Sequence, residues 1–97
     1  MIEIIINRTG KVAEDVRRNL ALLYSTREGE AALDRDFGLS QSWLDYPTET
    51  AKQLLTSEII TKTRLYEPRA SIADVQFGVS SADGKLNAKV VIDIVED

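Results

Sequence analysis

Four carboxylates fall within nine residues, Glu28, Glu30, Asp34 and Asp36, and paired carboxylates are the working groups of glycoside hydrolases. Those enzymes place one acid on each side of a scissile bond, roughly 5 to 9.5 Å apart, with the proton donor kept neutral by its surroundings. A sequence supplies the groups but neither the distance nor the shelter. Arg27 and Arg35 sit among these acids, so local charge pairing or a solvated loop accounts for the cluster without catalysis. As a metal site, Asp34-Arg35-Asp36 lacks the further ligands and the turn glycine of a calcium loop. The chain has no histidine and no cysteine, which removes imidazole bases, thiolate nucleophiles and thiolate zinc sites together. No serine has a lysine at the Ser/Lys hydrolase spacing, and the glycines form no phosphate-binding loop. The expectation is a protein without enzymatic activity, cofactor or metal.

Glu67-Pro68-Arg69 is a different kind of constellation. Proline fixes its own φ and pushes the preceding residue out of helical geometry, so an acid and a base are held on a stiff, extended junction. Residues two apart on an extended segment point the same way. Glu67 and Arg69 are therefore able to face a partner together, to pair with internal groups, or simply to stand as solvated charges at a helix stop. The planar Arg69 guanidinium suits bidentate contact with a carboxylate. Phe37 and Trp43 lie in an irregular stretch, where aromatics serve as interface anchors or cover the core from a loop.

Charge narrows the partner class. The net charge is −4, the pI is about 4.8 and the basic residues are scattered, so no basic stripe with interleaved aromatics offers itself to nucleic acid. The apolar run from Met1 to Asn7 contains Glu3 and is far too short to cross a bilayer. Neither nucleic acid nor membrane is expected as a partner.

These groups must be positioned by elements that the hydrophobic periodicity outlines. Ile2, Ile4 and Ile6 alternate along a short strand at Met1 to Asn7. Val12, Val16, Leu20 and Leu23 recur at helical spacing from about Lys11 to Tyr24. Ser25 to Pro47 has no clean period. A second helix over Thr48 to Tyr66 is introduced by Pro47, with Ala51, Leu54, Leu55, Ile59 and Tyr66 on one stripe, and Pro68 stops it. Val75, Phe77 and Val79 alternate, Asp83-Gly84 marks a turn, and Leu86, Ala88, Val90, Ile92 and Ile94 alternate again, so a hairpin closes the chain. A chain of 97 residues fits one domain spanning residues 1–97. The fold expected is α+β: a small, mainly antiparallel sheet, made of the N-terminal strand and the C-terminal hairpin, packed against two helices.

The run Leu22-Leu23-Tyr24-Ser25-Thr26-Arg27-Glu28-Gly29-Glu30, then Asp36-Phe37-Gly38, resembles the leucine-rich helix end, Gly-Glu step and Asp-Phe-Gly turn of phage baseplate wedge proteins, the bacteriophage tail lysozyme-like family. Tyr66-Glu67-Pro68-Arg69 is similar to that family's Glu-Pro-Arg core motif, and the likeness covers Val16 to Val95. Ala31-Ala32-Leu33 departs from the basic or proline-containing stretch of the pattern.

The resemblance implies a structural subunit of a contractile phage, prophage, bacteriocin or type VI secretion baseplate. It implies other wedge proteins and sheath subunits as partners, and sheath initiation by strand pairing. It also implies a sixfold arrangement in the particle with a monomeric free subunit, and assembly in the cytoplasm before incorporation into the tail. The residues expected to bind partners are Glu67, Pro68, Arg69, Phe37 and Trp43, with the edge for strand pairing provided by Ile72 to Ser80 and Leu86 to Val95. The alternatives are a peptidoglycan-cleaving tail lysozyme and a generic protein-binding module.

Overall fold

The structure, a computed structural model, describes residues 2–40, 42–79 and 86–95. Strand β1 (Ile2–Ile6) leads into helix α1 (Lys11–Ser25), and an irregular stretch follows with one 3₁₀ turn, Ser42–Asp45. Helix α2 (Thr48–Tyr66) and strands β2 (Ala70–Val79) and β3 (Leu86–Ile94) complete the fold. The Asp83-Gly84 turn lies outside the described residues.

The sheet order is β1-β3-β2, antiparallel between β2 and β3 and parallel between β1 and β3. The chain's first strand therefore pairs with its last, with Ile4 opposite Val90 and Ile6 opposite Ile92. This places β3 in the middle of the sheet. The expectation that both hairpin strands offer a free edge is thus corrected: the outer strands are β1 and β2, and residues 88–92 of β3 are paired on both sides.

One sheet face is apolar because the alternation is in phase across all three strands. Val90 sits between Ile4 and Val75, Ala88 between Ile2 and Phe77, and Ile92 between Ile6 and Ile72. In β2 these positions do not follow a strict period of two, since Ile72 and Val75 are three apart. A register shift between Ile72 and Asp74 inserts one extra residue, and this bulge returns both halves of the strand to the same face.

Both helices lie on that face. α1 buries Ala13, Val16, Leu20, Leu23 and Tyr24, with Ala13 rather than the half-exposed Val12 at its first inward position. α2 buries Ala51, Leu55, Ile59 and Thr63 at intervals of four, while Leu54 is left outward. Thr63 is tolerated in this apolar stripe because its hydroxyl meets the Tyr24 hydroxyl at 2.6 Å, satisfying both groups. Burial pushes the Tyr24 phenol up to about 12, the hydrogen bond to Thr63 opposing it. No described helix is long and apolar enough to cross a membrane.

Candidate functional site

The proline-enforced junction is built around a buried carboxylate. α2 ends with the Glu67 N–H donating to Thr63 O at 2.8 Å, and Pro68 prevents continuation. Glu67 is only 4% exposed. A carboxylate so placed must be fully hydrogen-bonded to remain charged, and it is. Arg69 donates from Nε to Oε1 at 2.8 Å and from Nη2 to Oε2 at 3.0 Å. The Arg69 N–H donates to Oε1 at 3.3 Å, and Asn19 Nδ2 of α1 to Oε2 at 3.0 Å.

Arg69 lowers the Glu67 carboxyl below the ordinary glutamate range first by hydrogen bonding and then by its charge, with burial opposing and Asn19 assisting. Of the readings left open by the sequence, the structure realises the internal pair. The same pair holds Arg69, whose side chain is 42% exposed, in one fixed orientation at the surface. Pro68, its chain neighbour, is exposed, and Leu65 in the last turn of α2 is 65% exposed.

The backbone of this junction ties three elements together. Val95 N–H donates to Arg69 O at 2.7 Å and Ala70 N–H to Glu67 O at 3.0 Å. The motif thus links α1, the end of α2, β2 and the end of β3 at one corner.

The acidic stretch is held by Lys62 and Tyr66 of α2 rather than by Arg27 or Arg35. Lys62 Nζ donates to Glu28 Oε2 at 2.8 Å and also to the Asp36 carbonyl, and it lies 5.9 Å from the centre of the Tyr66 ring. Tyr66 in turn donates its hydroxyl to Asp34 Oδ1 at 3.1 Å. Its phenol is raised chiefly by desolvation and then by Asp34. Phe37 meets the Tyr66 ring edge-on at 5.1 Å and packs on the core.

The Asp-Phe-Gly turn is fixed by backbone bonds as well, Leu39 N–H to Thr26 O and Glu28 N–H to Leu39 O, both at 2.9 Å. Replacing Lys62 by alanine is expected to cost about 1–2 kcal/mol and to speed amide exchange at Glu28 and Leu39 while β3 amides stay protected. Exchange measured by mass spectrometry after peptic digestion checks this; unchanged protection at Glu28 and Leu39 would show that Lys62 does not hold the turn.

Trp43 stands in the 3₁₀ turn, packed against the core with its indole Nε1 buried and unpartnered. The turn is anchored to α2 by Glu58, which accepts from the Ser40 N–H at 2.5 Å and from the Ser40 hydroxyl. Sequence reasoning singled out neither Lys62 nor Glu58. The usable signal was their position on the α2 faces flanking the buried stripe, opposite a segment rich in acids and serines.

The five residues expected to bind partners thus fall into separate places: Glu67, Pro68 and Arg69 at one corner, Phe37 against Tyr66, and Trp43 under the 3₁₀ turn. Among the described residues no group of three or more acids forms a metal-binding cluster.

A sequence profile of the family described as baseplate wedge protein gp25 matches residues 11–96. No match is found among curated proteins. Among solved structures, the chain is similar to a component of the cryo-EM structure of the anti-feeding prophage baseplate, 6-fold symmetrised. There the TM-score is 0.73 at 22% identity, over 92% of this chain and 73% of that one. It is also similar to a crystal structure of a candidate tail lysozyme from Geobacter sulfurreducens, with a TM-score of 0.56 at 16% identity over 93% and 96% of the two chains. At such identities the likeness shows the fold.

Proposed function

Because this chain belongs to the baseplate wedge protein gp25 family, we propose that it is a structural, non-catalytic baseplate subunit that helps initiate a contractile sheath by strand pairing. The observation that carries the docking role is the Glu67–Arg69 pair: a buried acid locks a part-exposed guanidinium at the surface. A rigidly presented arginine loses little freedom on binding a carboxylate or carbonyl, and such residues dominate many interfaces. Neighbouring wedge subunits dock at this corner in our reading, with sixfold placement like the 6-fold symmetrised prophage baseplate. Phe37 and Trp43, which lie away from this corner, belong to separate partner contacts in this reading. The free subunit is a monomer, assembled in the cytoplasm into a tail or tail-like particle.

A lysozyme role would require a carboxylic acid kept neutral at working pH. The buried acid here, Glu67, is shifted the opposite way, and Glu28 and Asp34 are engaged by Lys62 and Tyr66. Turbidity of a peptidoglycan suspension is expected to be unaffected by the purified chain.

The test of the docking role is co-assembly with wedge and sheath proteins encoded beside this chain. Arg69→Lys keeps the charge but not the planar fork. It is expected to fold with a native circular dichroism spectrum and to initiate sheath at least tenfold less often, counted by electron microscopy. Wild-type initiation by a folded Arg69→Lys chain would rule out docking through this motif.

A further inference from the structure

The two outer strands differ in how open their free edges are. β1 has five residues, and the Arg17 guanidinium of α1 donates to its Ile4 carbonyl at 3.1 Å. β2 has ten residues and is flanked by an unfilled groove. Two adjoining concavities, about 570 and 310 Å³, lie between α2 and β2 and share Ile60. The first meets β2 at Phe77 and the second at Ala70, Ser71 and Ile72, so their contacts with the strand stand at the two ends of an eight-residue stretch, about 25 Å.

The backbone agrees with this opening. The Val95 N–H to Arg69 O bond sets the alternation of the β2–β3 ladder. Ile72 is therefore at a position whose N–H and C=O point away from β3, and Ile72 lines the second concavity.

The charge of the groove is the reverse of the chain's. Its ionisable lining residues are Lys52 in one concavity and Arg64 in the other, although the chain carries −4 overall. Among the described residues Arg64 makes no ion pair, and Lys52 has only Glu49 at 3.3 Å, itself 84% exposed. The β2 carboxylate, Asp74, alternates onto the opposite face of the sheet from Val75 and Phe77. Lys52 and Arg64 are twelve positions apart, about 18 Å along α2.

We infer that the α2–β2 groove is the strand acceptor, and that its occupant is an extended arm of a partner chain carrying two acidic side chains on one face, six residues apart. Six is the even spacing, about 20 Å, that matches the two cations while keeping both acids on one side. Main-chain bonds to β2 give affinity, Ile60, Ile72 and Phe77 take apolar side chains that lie between the two acids on the same face of the arm, and Lys52 and Arg64 set the register. This rests on the strand-pairing reading above and names its edge and the chemistry of its ligand.

The absence of native cysteine allows a clean test on the full chain. A fluorophore is placed at Ser57→Cys in the groove, and a second variant carries it at Glu3→Cys on β1. Two ligands are titrated: the cognate sheath subunit, and a ten-residue threonine peptide with glutamates at positions 2 and 8 and valines at positions 4 and 6. Both are expected to move the Ser57→Cys signal and leave the Glu3→Cys signal unchanged. Arg64→Glu is expected to weaken each at least tenfold, and the same peptide with lysines in place of the glutamates is expected not to bind.

If the sheath subunit binds but moves only the β1 probe, or is indifferent to Arg64→Glu, the groove is the wrong edge while strand pairing stands. If the peptide binds as predicted and the sheath subunit does not, the groove is upheld and the sheath reading falls. If neither ligand moves the groove probe, the groove is refuted.

Discussion

Replacing Gly38 by alanine is expected to destabilise the protein by about 3 kcal/mol, lowering the melting temperature by about 15 °C. Gly38 has φ +107°, and a Cβ built on it would lie 2.5 Å from Thr26 O and 2.9 Å from Arg27 C. Both obstacles are backbone, so no side chain is able to swing aside. The backbone cannot retreat either, because Leu39 N–H is bonded to Thr26 O, Glu28 N–H is bonded to Leu39 O, and Leu39 is 2% exposed in the core. Relief requires pulling Leu39 out of its site.

Gly29→Ala provides the graded comparison. Gly29 also has a positive φ, +95°, but nothing within 4 Å of a new Cβ, so only the conformational penalty of about 1 kcal/mol applies. Gly78→Ala, with neither obstacle, should be close to neutral. Urea midpoints of the three variants test the order, and a Gly38→Ala chain as stable as Gly29→Ala would show that the Thr26–Leu39 contact is not held closely.

How far the fold could be read in advance varies with the range of the interaction. The α2 boundaries follow from Pro47 and Pro68, two local effects on backbone geometry, and the helix runs Thr48–Tyr66 as expected. The closing strands follow from alternation, which is also local. The partner of β1 is not local: nothing in Ile2–Ile6 says that it inserts parallel to residues 88–92, and so the identity of the free edges was invisible.

Phase was legible only to within one residue, as Val12 and Ala13 show, because two adjacent positions differ by 100° on a helix wheel and a small alanine approaches a crowded interface more closely. For Glu67 and Arg69 the stiffness of the junction was readable from Pro68. The burial that turns a loose charge pair into a clamp depends on Asn19, which lies 48 residues away.

That burial gives the Glu67–Arg69 pair an asymmetry that two substitutions and their combination expose. Glu67→Gln removes the charge, keeps the shape, and leaves Arg69 near enough to solvent to rehydrate, so it is expected to cost about 1–2 kcal/mol at pH 7. Arg69→Ala is expected to cost more, because the carboxylate stays buried with only the Asn19 amide and the residue-69 N–H, and an unpaired buried charge is worse than none. The double variant is then more stable than Arg69→Ala alone, although it carries the additional substitution.

Acid acts more strongly on the wild type than on Arg69→Ala. In the wild type Glu67 has a folded pKa below its ordinary value of 4.5. The pair's contribution is therefore complete above 4.5 and is lost as pH falls through the depressed folded value. In Arg69→Ala the largest lowering cause is gone, and desolvation is opposed only by the Asn19 amide and the residue-69 N–H, so the folded pKa rises relative to the wild type and less stability is lost as the pH drops. The stability gap between the two proteins should be widest near neutrality and should narrow steadily towards about pH 3. Urea denaturation of the four chains at pH 7 and pH 3, followed by tryptophan fluorescence, measures this. A gap that is independent of pH, or a double variant less stable than Arg69→Ala, would show that Arg69 stabilises the corner by packing and not by compensating the Glu67 charge.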